Sequence, residues 1–146
     1  MIALFVYLYS TNSSLITIGL AFHFQVYLKA KLLKHSDVRV SLFEQLDQSN
    51  ITYEFRARCS TSACQTKYVT ISNKMNGVWN TTVYSNTPAY TLSVNETFEY
   101  HMLVTSQGLV TFLKNVFLYT LSTQMSFANA KYITIRGSIA VEEFSM

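Results

Sequence analysis

The sequence predicts an all-β protein, an antiparallel sandwich in a single domain, and three observations carry that reading. Tyr and Phe number ten each in a chain of 146 residues, and 49% of the sequence is apolar, a composition suited to pleated, half-buried strands. Short runs alternate apolar and polar residues with a period of two, the pattern of a strand with one face inward. Polar turn residues separate these runs at short intervals, and no long amphipathic helix pattern interrupts them. Gly is scarce at four and Pro occurs once, so no linker divides the chain and one domain over 1–146 is expected.

The elements follow in order. Met1 to Tyr9 is apolar but lacks a basic flank and a small-residue cleavage site, so it reads as a strand, with a cleaved signal peptide as the alternative. No apolar run reaches the length of a membrane span. Leu15 to Ile18, Phe22 to Leu28 and Val38 to Leu42 are strand-like, and Lys29 to Lys34 is compatible with one helical turn. Ile51 to Cys59 is the clearest run: Ile51, Tyr53, Phe55 and Ala57 are expected inward, and Thr52, Glu54, Arg56 and Arg58 on the opposite face. Tyr68 to Ser72 repeats the pattern with Val69 and Ile71 inward. Asn73 to Gly77 reads as a turn, with Asn76-Gly77 suited to positive φ, before a strand at Val78 to Ser85. Phe98, Tyr100, Met102 and Val104 share one face with His101 opposite, and Gln107-Gly108 turns the chain into Leu109 to Leu113. Val116 to Leu121 and the pair Ile133, Ile135 and Ile139, Val141 around Gly137 complete a set of about ten strands.

Charge and motifs exclude several functions. The net charge of +3 is spread along the sequence, and the local group Lys29, Lys31, Lys34 reads as a solvated loop, so no nucleic-acid partner is implied. Asp37 and Asp47 are the only aspartates, and His23, His35 and His101 are far apart. Glu142 and Glu143 are adjacent, and adjacent strand residues point apart. With no nucleophile elbow, phosphate loop or metal-ligand spacing, neither an enzyme nor a cofactor is expected. Cys59 and Cys64 are too few for zinc, which leaves a disulfide and two thiols both open. Asn-x-Ser/Thr triplets at Asn12, Asn50, Asn80 and Asn95 favour an exported chain.

Four segments, in order, carry a family resemblance. Ser13-Ser14-Leu15-Ile16-Thr17-Ile18-Gly19 looks like an opening strand ending in Gly, and Asn73-Lys74-Met75-Asn76-Gly77-Val78-Trp79 like a turn leading to a near-invariant Trp. Phe98 to Val104 looks like the following core strand, and Ile133-Thr134-Ile135-Arg136-Gly137-Ser138-Ile139 like a closing segment in which Ser138 replaces Asp. Together they resemble the galectin family over nearly the whole chain. The resemblance implies a galectin-type (concanavalin-like) jelly-roll sandwich with a single carbohydrate-recognition domain. It implies as partners the glycans of glycoproteins or glycolipids, bound by polar residues on one sheet face plus the Trp.

The matching positions depart from the family pattern. Where the family has His-x-Asn-Pro-Arg, this chain has Glu54-Phe55-Arg56-Ala57-Arg58, so only Arg58 agrees. The Asn before the Trp is Ser72, and the Glu and Arg after it are Thr82 and Tyr84. The candidate carbohydrate-binding set is therefore Arg58, Trp79, Glu54, Arg56, Ser72, Thr82 and Tyr84. A hydrogen bond to a charged group contributes about 1.5–3 kcal/mol, so five changes predict weakened or altered specificity and loss of ordinary lactose binding. The alternative is a module that has lost sugar binding and serves protein interaction, with a homodimer through edge strands. Galectin-like export without a signal peptide places it outside the cell or in the cytoplasm. Residues 21–34 are expected as an insertion that extends a sheet edge, pairs with a second protomer, or reflects an error in the gene model.

Overall fold

A computed structural model describes residues 13–17, 24–34, 37–45, 47, 49–59, 67–87, 90–122 and 130–146. Its elements are β1 (Ser13–Thr17), β2 (Gln25–Leu32), β3 (Val38–Phe43), β4 (Ile51–Cys59), β5 (Lys67–Met75) and β6 (Val78–Ser85). They continue as β7 (Thr97–Thr105), β8 (Gly108–Leu113), β9 (Val116–Leu121), β10 (Tyr132–Arg136) and β11 (Ile139–Ser145). A six-stranded sheet runs β1-β10-β3-β4-β5-β6 and a five-stranded sheet runs β11-β2-β7-β8-β9, every pairing antiparallel. The predicted all-β sandwich is therefore present, with consecutive antiparallel strands β3 to β6 and β7 to β9 running out to one edge of each sheet. The strand expected at Met1 to Tyr9, the residues Asn12 and Cys64, and the Cys59 side chain lie outside what is described.

Alternation builds the core. From one sheet Val38, Val40, Leu42, Tyr53, Phe55, Ala57, Val69 and Ile71 point inward, and from the other Val26, Leu28, Ala30, Leu32, Phe98, Tyr100 and Met102 meet them. One polar group sits inside this layer. The Tyr53 hydroxyl on β4 lies 2.8 Å from the Tyr100 hydroxyl on β7 and 2.8 Å from Thr111 Oγ1 on β8, so each buried hydroxyl has a partner across the sheet interface.

The structure corrects three local expectations. Lys29 to Leu32 continues β2 instead of turning into a helix. That strand, inside the stretch read as an insertion, is flanked by β11 and β7 and so does not extend an edge. Its clean alternation, with Val26, Leu28, Ala30 and Leu32 all buried, explains why it is interior. Third, Ile51 is buried as expected, at 4% exposed, but not on the face that Tyr53, Phe55 and Ala57 share. Phe43 pairs with Ile51 while Leu42 pairs with Tyr53, so one extra residue in β4 forms a bulge and turns Ile51 onto the opposite face. The turn read at Asn73 to Gly77 tightens to Asn76-Gly77, both at positive φ, with Asn73 to Met75 inside β5.

Candidate functional site

The outward face of the six-stranded sheet is organised in cross-strand rows. In one row Arg136 of β10, Arg39 of β3, Arg56 of β4 and Thr70 of β5 stand opposite one another in register, with Tyr84 of β6 beyond. The next row is Thr134, Ser41, Glu54 and Ser72, with Thr82 beyond. The third is Tyr132, Phe43, Ile51, Lys74 and Trp79. The sheet thus brings the seven sequence-predicted positions to one face: Arg56 and Arg58 at one end, Glu54 and Ser72 in the middle, Trp79 at the other. For Thr82 and Tyr84 only the register is described.

Trp79 reaches this face through a bulge. Ser72 pairs with Thr82, but Lys74 pairs with Trp79, so β6 carries one residue more than β5 over this stretch. Without that residue the period of two would turn the indole away from Ser72. The indole is 46% exposed at the hairpin tip beside exposed Met75 and Val78. The Lys74 ammonium lies 5.6 Å from its ring centroid, a cation–π contact that leaves the rest of the ring to solvent.

The middle row is closed. Glu54 is only 7% exposed, and Ser72, Ser41 and Thr134 are as deeply buried. The Ser41 hydroxyl donates to Glu54 Oε2 at 3.2 Å. Glu54 is therefore held against the sheet instead of standing up as an open contact.

Arginines dominate the far end, organised around Asp37. Asp37 Oδ2 accepts from Arg56 Nε at 2.9 Å and Nη2 at 2.5 Å, and from Arg39 Nη2 at 3.2 Å. Arg58 Nε stands 3.8 Å from Asp37 Oδ1, with its guanidinium 5.7 Å from the Tyr68 ring centroid. Arg56 thus pairs with Asp37 and not with Glu54, two residues away on its own strand. Asp37 is held in place from behind: Gly137, at φ 144°, sits so close that a Cβ there would come within 2.9 Å of the Asp37 carbonyl oxygen. Sequence reasoning did not assign Asp37, Arg39 or Arg136 to this face. The signal was available, because Val38-Arg39-Val40 and Ile133-Thr134-Ile135-Arg136 each put their arginine at the outward position of an alternating run.

Among the described residues no group of three His, Cys, Asp or Glu is placed to hold a metal ion, and no helix is long and apolar enough to cross a membrane.

Residues 12–146 match the family described as galactoside-binding lectin. This chain belongs to the galectins. Sheep galectin-11, solved in complex with glycerol, has the same fold at a TM-score of 0.74 and 19% identity, over 92% of this chain and 96% of that one. A doubly substituted human galectin-16 gives 0.76 and 12%, over 97% of each chain. Comparison with curated protein sequences finds no match. In this galectin Arg58 and Trp79 both stay accessible, at 40% for the Arg58 side chain and 46% for Trp79.

Proposed function

We propose that this galectin recognises glycans through the outward face of its six-stranded sheet, with a specificity other than that for simple β-galactosides. The observation that carries the reading is Trp79. A bulge in β6 delivers the chain's single Trp to the same face as Ser72, and leaves the residue 46% exposed at the hairpin tip. A large aromatic ring left in water on a lectin fold is suited to stacking on the apolar face of a sugar. The altered specificity follows from the neighbours: Glu54 and Ser72 lie buried below the surface, and Arg56 is engaged by Asp37.

A glycan array with the purified chain tests this, together with lactose titration by calorimetry. The expected result is no measurable heat with lactose, selective array signals, and their loss in Trp79→Ala with thermal stability unchanged. An array that stays empty would sink the reading and leave the second one, a galectin-fold module for protein contacts. That second reading is favoured by the outer face of the five-stranded sheet. There Tyr27, His101, Phe112 and Phe117 form a cross-strand row with successive ring centroids 6.2, 6.2 and 6.0 Å apart, ending in exposed Phe117. Members of the family typically occur in the cytoplasm and leave the cell without a signal peptide, and we place this chain in the same compartments.

A further inference from the structure

All four arginines of the chain are Arg39, Arg56, Arg58 and Arg136, and the fold gathers every one of them at one end of the sugar-facing sheet. Arg136 is the cross-strand partner of Arg39, and Arg39 of Arg56. Like charges directly opposite on neighbouring strands repel and destabilise a sheet unless something negative lies between them. Asp37 fills that role for Arg39, Arg56 and Arg58. Arg136 has no ion pair among the described residues, and Glu54, the other acid on the face, is buried against Ser41. Even with both carboxylates counted, the face keeps an excess of positive charge, on residue types whose planar fork matches an oxyanion. Lys29 and Lys31 lie on the other sheet and Lys74 at the Trp79 end of this face, so the described side chains clustered here are bidentate donors.

We propose that this end of the face is a subsite for an acidic group on the glycan, a sulfate ester or a carboxylate, held by Arg39 and Arg136 with Asp37 fixing the orientation of the arginine fan. The subsite rests on the glycan-binding reading above and names the ligand class for it. It lies two rows from Trp79, about 13 Å along the strands, and three to four strands across the sheet, so about 20 Å away in all. A ligand touching both is therefore an oligosaccharide, with its acidic group on the arginines and a neutral sugar at the indole. Asp37 acts as a positioning residue, because its contacts are to the guanidinium groups.

The test is an array of matched oligosaccharides in three forms, neutral, sulfated and carboxylated, followed by titration of the best binders at low and high salt. Dextran sulfate and inorganic sulfate serve as charge-only controls. The acidic forms are expected to bind about tenfold or more tighter than the neutral one, and the advantage should shrink as salt rises. Arg136→Gln and Arg39→Gln should each remove most of that advantage and spare the neutral form. Arg136→Gln is the cleaner variant, since it breaks no ion pair among the described residues and should fold normally. Whichever acidic form is preferred identifies the source of the charge. Neutral and acidic forms bound equally, with both variants silent and Trp79→Ala still abolishing binding, would overturn the acidic subsite and leave glycan recognition intact. Dextran sulfate bound as tightly as any glycan and insensitive to Trp79→Ala would also overturn it. Binding of no sugar of any kind would remove the underlying reading as well.

Discussion

At the scale of single residues, Asp37 does the most on the candidate face. It touches Arg39, Arg56 and Arg58 from one partly buried position, so its removal leaves three guanidinium groups facing each other. Because these groups are partly solvated, the loss should be moderate, about 1–2 kcal/mol for Asp37→Asn. Salt screens repulsion between exposed charges, so added salt should return part of that loss. Urea denaturation at two ionic strengths checks this. A loss of stability that ignores salt would mean that Asp37 serves packing and not charge balance. Residue chemistry was the most legible level in the sequence. Arg58 and Trp79 could be matched by motif, and outward positions of alternating strands already held Arg39 and Arg136. Burial of Glu54 was not legible, because it depends on what lies over the middle row of the sheet.

At the scale of elements, turns and bulges set the registers that align the face. Gly108 opens β8 at φ 138°, and a Cβ on it would meet the Leu121 carbonyl oxygen at 2.3 Å. Backbone of a paired strand cannot yield at that distance, so Gly108→Ala should cost well over about 2 kcal/mol. Gly77, in the β5–β6 turn at φ 79°, has nothing within 4 Å of a Cβ. There Ala meets only the left-handed backbone penalty of about 1 kcal/mol. Chemical denaturation should rank the two in that order, and equal losses would contradict the steric account. The sequence announced these turns through Asn76-Gly77 and Gln107-Gly108. It did not announce the bulges in β4 and β6. A bulge inserts one residue without changing composition or local propensity, and its effect is seen only against the partner strand. Strict alternation therefore foresaw the burial of Ile51 but put it on the wrong face of the sheet.

For the molecule as a whole, the Tyr53–Tyr100–Thr111 cluster joins the two sheets at the centre of the sandwich. Burial raises the pKa of both tyrosines above their ordinary value of 10.0, and Tyr53 also works against Tyr100. The unfolded chain therefore releases these protons above pH 10 while the native state holds them. Stability is full below pH 10 and falls as pH climbs toward the native values, by about 1.4 kcal/mol per pH unit for each tyrosine. Alkaline denaturation should show this slope, and Tyr53→Phe should reduce it while lowering stability at neutral pH by about 1–3 kcal/mol through the partners it leaves. A slope unchanged by Tyr53→Phe would place the titration elsewhere.

The sequence by itself determined the all-β class and nearly every strand boundary from β3 onward, because period-two alternation and turn chemistry are local properties of the chain; the family was legible as a resemblance of four segments in order. It also fixed which residue types could reach the outward face of the six-stranded sheet. Tertiary structure decided which of them meet. Arg136 is 80 positions from Arg56 in the chain yet stands in the same cross-strand row with Arg39 between them, and such rows exist only once β10 has returned to pair with β3. Long-range pairing also put β2 inside its sheet, buried Glu54, and turned Trp79 outward. The candidate face is a product of register, and register is set between strands.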